Sequence, residues 1–101
     1  MKISVLGDGG WGTALALVLD RNGHEVTVWG AFPEVVAETR RSRENARYLP
    51  GVALPASVRW TSDRAEAAGA ELFVAAAPSK YARAVLESFA SRLPERPHRE
   101  D

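Results

Sequence analysis

The residues of this chain best suited to chemistry stand near its start, in Gly7-Asp8-Gly9-Gly10-Trp11-Gly12, a fit to G-x-G-x-x-G. Glycines at this spacing suit a backbone that turns sharply and lets an anion come close. Gly7 permits the turn, Gly9 has no Cβ to hold a pyrophosphate away, and Gly12 lets the next helix pack tightly on the preceding strand. The first N–H groups and the positive dipole end of a helix opening here would face the phosphates. Alone the pattern is weak, because a plain glycine turn between strand and helix also satisfies it; the surrounding elements have to decide. Asp8 is the awkward member, since a carboxylate beside a pyrophosphate costs binding unless it points away. The second position of such loops usually faces outward, and Asp8 is read as tolerated on that ground.

An acid about 20 residues beyond the glycines usually holds the adenosine ribose of NAD. That place falls at Trp29-Gly30-Ala31-Phe32, which contains no acid, and Glu34 comes slightly late and fits a helix surface. No arginine stands there to take a 2′-phosphate; Arg40, Arg41 and Arg43 follow downstream and read best as a solvated helix end. NAD and NADP both stay open as the cofactor.

The elements that must position this loop follow from periodicity. Ile3 to Leu6 is a short β-branched strand that runs into the glycines. Trp11 to Arg21 predicts a helix, with Trp11, Ala14, Leu15, Val18 and Leu19 at the spacing of one apolar face. Asn22-Gly23 ends it, and Glu25 to Trp29 is a second strand with Val26 and Val28 on one side. Strand, helix and strand make a βαβ unit with parallel strands. Pro33 opens a second helix, the polar run Glu38 to Arg47 closes it, and Tyr48 to Pro55 reads as turn and extended chain. Val58 to Thr61 fits a short strand, Asp63 with Glu66 a capping box over a short helix. Leu72 to Ala77 fits a strand buried on both faces. A last helix is expected from Ser79 to Leu93. The alternation predicts an α/β fold, Rossmann-like, with a parallel sheet and flanking helices, and incomplete: about four strands where a full doubly wound sheet has about six. The expected division is a partial dinucleotide-binding domain over residues 1–93 and a charged tail over 94–101.

Composition narrows the function classes. Thirteen basic and thirteen acidic residues cancel, so no general attraction for nucleic acid is implied. There is no cysteine, and the two histidines, His24 and His98, are too few and too far apart for a metal site. No apolar run approaches the roughly 18 residues of a membrane span, and no targeting segment is evident. The cytoplasm is the expected compartment.

Longer stretches carry a resemblance. Ile3-Ser4-Val5-Leu6-Gly7-Asp8-Gly9-Gly10-Trp11-Gly12-Thr13-Ala14-Leu15-Ala16, Asn22-Gly23-His24-Glu25-Val26, Trp29-Gly30, Glu44-Asn45-Ala46-Arg47-Tyr48-Leu49-Pro50-Gly51 and Ala77-Pro78-Ser79 together resemble the N-terminal part of the NAD(P)-dependent glycerol-3-phosphate dehydrogenases. The N-x-x-Y-L-P-G stretch is far more particular to that family than the glycine pattern. The likeness covers about the first 93 residues. It implies an oxidoreductase that reduces dihydroxyacetone phosphate to glycerol 3-phosphate with NADH or NADPH, in phospholipid synthesis. It implies further that Gly7, Gly9, Gly10, Trp11 and Gly12 line the pyrophosphate, that Ala31 lies at the adenosine end, and that Pro78 and Tyr81 stand beside the cofactor. Gly10 replaces a frequent serine, and Ala31 a frequent basic or aromatic residue. The family's catalytic lysine belongs to a helical domain that these 101 residues do not contain, and neither Lys2 nor Lys80 is assigned its role, so no catalytic residue is expected here and the chain alone should be inactive. The expected partners are the dinucleotide, a small phosphorylated substrate in the full enzyme, and further copies of the chain.

Two other readings stand beside this one. The chain could belong to another two-domain hydroxy-acid dehydrogenase, against which the Asn45–Gly51 stretch speaks. It could also be a stand-alone, non-catalytic nucleotide-binding module.

Overall fold

The computed structural model describes residues 1–45, 49–76 and 87, with the side chains of residues 49 and 50 left aside. Strand β1 (Lys2–Leu6) leads into helix α1 (Gly10–Arg21), strand β2 (Glu25–Trp29) and helix α2 (Pro33–Ser42). Two short strands follow, β3 (Glu44–Asn45) and β4 (Leu49–Ala53), then β5 (Arg59–Thr61), the single-turn helix α3 (Arg64–Ala67) and β6 (Leu72–Ala75). The expected last helix, the tail, and with them Pro78 and Tyr81, lie outside the described residues except for position 87.

Four strands form one parallel sheet in the order β5-β2-β1-β6. β1 pairs with β2 from Lys2↔Glu25 to Leu6↔Trp29, and with β6 from Ile3↔Leu72 to Leu6↔Ala75. β5 continues the sheet beyond β2, with Val28 opposite Trp60. The α/β, Rossmann-like sheet read from the sequence is thus observed. Its side chains alternate between two cores. Val5, Val26 and Val28 point to one face, where Ala16, Val36, Leu54, Val58 and Trp60 cover them. Leu6 and Trp29 point to the other face and meet Ala67. Each valine or leucine fully buried in this way stabilises the fold by about 1.5–3 kcal/mol. Ser4, also buried, donates from Oγ to the Ala67 carbonyl at 2.6 Å and ties α3 to the sheet.

Four expectations are corrected. The buried face of α1 is Gly12, Thr13 and Ala16, not the stripe through Trp11 and Val18, which are 76% and 48% exposed. The helix lies so close to the strands that only small side chains fit beneath it, and the large ones are rotated to its flanks and outer side. The stretch read as turn and extended chain contains an antiparallel pair, β3 with β4, with a register shift between Glu44 and Asn45. Asp63 does cap α3, its Oδ1 accepting from Ala65 N–H at 2.8 Å, but the reciprocal half of a capping box is replaced. The Asp63 N–H donates to Thr61 Oγ1 at 3.0 Å. Finally, β6 is not buried on both faces: it is the outermost strand among the described residues, and Leu72 is 46% exposed.

Candidate functional site

The glycine loop sits where the sheet changes direction. From β1 the chain builds outward through β2 to β5, then returns to place β6 on β1's other side. Parallel sheets leave a crevice at the carboxyl ends of the strands at such a point, and ligands bind there. The loop spans that crevice. Gly7 takes φ +135°, a value that disfavours any side chain, while its N–H donates to the Trp29 carbonyl at 2.8 Å. Ala76 N–H donates to the Leu6 carbonyl at 3.0 Å and holds the end of β6 against the same turn.

Helix α1 opens at Gly10 with Gly9 as its N-cap, and its first turn is pressed hard onto the loop. A Cβ added at Gly12 would stand 2.1 Å from the Gly7 carbonyl oxygen and 3.3 Å from the Ala76 Cβ. At Gly9 the same test meets nothing among the described residues within 4 Å. The loop is therefore closed beneath Gly12 and open above Gly9. The open side faces the helix N-terminus, where the first backbone donors have no intrahelical acceptors. This arrangement fits a pyrophosphate: uncapped donors, a helix dipole and room for oxygens to reach the backbone. Trp11 stands exposed at the rim of that opening.

One residue that holds the loop went unassigned by sequence reasoning. Asn45, 4% exposed, donates from Nδ2 to the Asp8 carbonyl at 2.7 Å and to Thr13 Oγ1 at 2.8 Å. Thr13 Oγ1 in turn reaches the Asp8 carbonyl at 3.3 Å. Asn45 thus braces the Asp8–Gly9 peptide from 37 residues away. Its only signal in the sequence was its place at the head of N-x-x-Y-L-P-G. The pairing of β3 with β4 positions it: Glu44 Oε2 accepts from Gly51 N–H at 2.9 Å, and Leu54 N–H donates to the Arg43 carbonyl at 2.8 Å.

Asp8 differs from the outward orientation expected of it. Its side chain crosses to the end of β2, where a Cβ on Gly30 would lie 2.4 Å from Asp8 Oδ2. Ala31 and Phe32, next along, are exposed. The structure therefore brings Gly7, Gly9, Gly10, Trp11 and Gly12 into one loop and sets Ala31 just past the residue that the loop's Asp8 touches. Trp29 is core: it is buried, its Nε1 donates to the Ser62 carbonyl at 3.1 Å, and the Arg64 guanidinium lies 4.8 Å from its ring centre. Lys2 lies at the opposite, amino end of the strands. Of the arginines, Arg41 pairs with Glu38 on the surface of α2, and Arg43 is turned inward to the carbonyls of Pro55 and Val58. Among the described residues no group of three or more His, Asp or Glu could hold a metal ion, and no helix is long and apolar enough to cross a membrane.

Residues 2–99 match the family model for the NAD-dependent glycerol-3-phosphate dehydrogenase N-terminus. The chain belongs to that family. Among relatives of this glycerol-3-phosphate dehydrogenase N-terminal domain, a glycerol-3-phosphate dehydrogenase (NAD(P)+) of Parvibaculum lavamentivorans is 45% identical over 94 residues, covering 93% of this chain and 28% of the relative. One from Enterococcus faecalis is 46% identical over 99 residues, covering 95% of this chain and 28% of the relative. The crystal structure of glycerol-3-phosphate dehydrogenase from Coxiella burnetii superposes with a TM-score of 0.86 at 32% identity, over 93% of this chain and 29% of that one. The domain thus spans somewhat over a quarter of the length of the relatives it matches.

Proposed function

We propose that this chain binds NAD(P)H as the cofactor domain of a glycerol-3-phosphate dehydrogenase, with dihydroxyacetone phosphate as the substrate of the complete enzyme. The observation that carries the reading is the glycine loop itself: closed under Gly12, open over Gly9, at the sheet's switch point and at the start of α1. The backbone N–H groups of Gly9, Gly10 and Trp11 would hold the pyrophosphate, with Gly7 giving the turn and Gly12 the close packing. Asn45 and Thr13 hold the loop in the form that binds, so little ordering cost falls on association. Trp11 and Ala31 would border the cofactor on either side of the loop, and Pro78 and Tyr81 belong to the same proposal.

The cofactor supplies a hydride to the substrate ketone. Lys2 lies at the far end of the strands from the glycine loop and is not placed to give the proton that completes the alcohol. Family membership supports a phosphorylated ketone as the substrate of the complete enzyme. A stand-alone nucleotide-binding module shares the same loop geometry, and activity separates the two.

The test joins this chain to the remaining residues of the Enterococcus faecalis relative. Dihydroxyacetone phosphate-dependent oxidation of NADH by the chimera supports the proposal. A folded chimera that binds NADH but leaves the ketone unreduced would remove the substrate and retain the module.

A further inference from the structure

The ribose acid is missing from the end of β2, yet a carboxylate stands there. It comes from the glycine loop. A Cβ built on Gly30 would fall 2.4 Å from Asp8 Oδ2, 2.7 Å from Asp8 Cγ and 2.7 Å from Val36 Cγ2. The Asp8 carboxylate is therefore seated on the bare α-carbon of Gly30, in volume that any side chain at position 30 would take. Its direction is set from behind, because Asn45 Nδ2 and Thr13 Oγ1 both hold the Asp8 carbonyl. Gly30 is itself anchored, its N–H donating to the Thr61 carbonyl at 2.9 Å.

We propose that Asp8 is the ribose-recognising acid of this site and that it makes the chain select NAD(H) over NADP(H). The inference rests on the dinucleotide reading above. In sites of this topology the adenosine ribose lies over the end of the second strand, and a carboxylate there accepts from its 2′-hydroxyl. A carboxylate delivered from the adjoining loop to the same strand end does the same work. NADP(H) carries a 2′-phosphate instead of that hydroxyl, a monoester group of about −1.5 to −2 charge, which the carboxylate repels. Of the described residues that follow Gly30 at the strand end, Ala31 and Phe32 carry no positive charge. Arg41 and Arg43 are engaged with Glu38 and with the carbonyls of Pro55 and Val58. Asp8 and Gly30 thus form one unit: the glycine vacates the place that the aspartate fills.

The test is a titration of the whole chain with NADH and with NADPH, reading tryptophan quenching, for the parent and for Asp8→Asn and Gly30→Ala. Asn is close to isosteric and keeps the fold; Gly30→Ala pushes the carboxylate off its seat without altering its charge. The parent should bind NADH at least about tenfold more tightly than NADPH, a factor in keeping with one like-charge contact near a protein surface. Both variants should bring the ratio close to one, Asp8→Asn chiefly by tightening NADPH. A parent that binds the two cofactors equally, or Asp8→Asn weakening both alike, overturns the assignment to Asp8 and leaves the dinucleotide reading standing. Binding of neither cofactor by the folded parent overturns both.

Discussion

Gly9 and Gly12 stand three residues apart in one loop and should answer the same substitution in opposite ways. At Gly12 an added Cβ meets the Gly7 carbonyl oxygen at 2.1 Å, and that obstacle is backbone at the tightest turn of the fold. Gly12→Ala should destabilise the chain by about 1–3 kcal/mol, the cost of overpacking a well-filled contact. Thermal unfolding reads this as a midpoint lowered by several degrees. At Gly9 the Cβ meets nothing among the described residues, and its φ of −71° suits alanine. Gly9→Ala should shift stability by less than about 1 kcal/mol, yet weaken NADH binding tenfold or more, roughly the effect of 1.4 kcal/mol. Equal stability losses at both glycines would show that the loop is not open above Gly9. Asn45→Ala tests the brace. It leaves the Asp8 carbonyl without its 2.7 Å donor and should cost about 1–3 kcal/mol in urea unfolding. Asn45→Asp should do no better, because a carboxylate cannot donate to that carbonyl. Recovery of stability by Asn45→Asp would mean that packing, not the hydrogen bond, is what Asn45 supplies.

Among the elements, β1, β2, β5 and α2 were legible because each is marked by local chemistry: β-branched residues in alternation, a proline at the first helical turn, a glycine that stops α1 at φ +90°. The buried face of α1 was not. Hydrophobic periodicity selects the largest apolar residues, whereas proximity to the loop selects the smallest, and here proximity decides. Gly12, Thr13 and Ala16 go inward and Val18 outward. Two substitutions separate these descriptions. Ala16→Leu should destabilise by about 1–3 kcal/mol, while Val18→Ala should stay within about 0.5 kcal/mol, both read from denaturant midpoints at unchanged slope. A large loss at Val18 would restore the face that periodicity chose. The β3–β4 pairing escaped sequence reasoning for a related cause. Its first strand has two residues and its second carries Pro50, so neither shows alternation; what joins them are contacts such as Gly51 N–H to Glu44 Oε2, which only the folded chain brings together. The site was legible in part for the same reason. The glycines are contiguous in sequence, but Asn45 and the seat of Asp8 on Gly30 exist only once distant segments meet.

Across the whole molecule, the sheet order β5-β2-β1-β6 places two unlike strands at its margins. β5 is three residues long and lies against α2, whereas β6 is an apolar segment with Leu72 46% exposed. The reading of Leu72–Ala77 as a fully buried run erred on burial but was right that this strand would be an edge among the described strands. Among the described residues no strand lies beyond β6, and an apolar edge strand is a template for another chain because its backbone is already extended. A chain of this size adds to the hazard, because small domains bury a modest share of their surface and open readily. The purified 101-residue chain should therefore associate through β6, with light scattering showing a mass that rises with concentration. Leu72→Lys should reverse this at little cost to the fold. The position is already partly in water, and Phe73 beside it, which packs against Leu6, Trp29 and Ala67, is untouched. A lysine on an edge strand opposes pairing by charge while leaving the strand's inner hydrogen bonds to β1 in place. A parent chain that stays monomeric at every concentration would show that the β6 edge is covered, and Leu72→Lys would then change neither mass nor solubility.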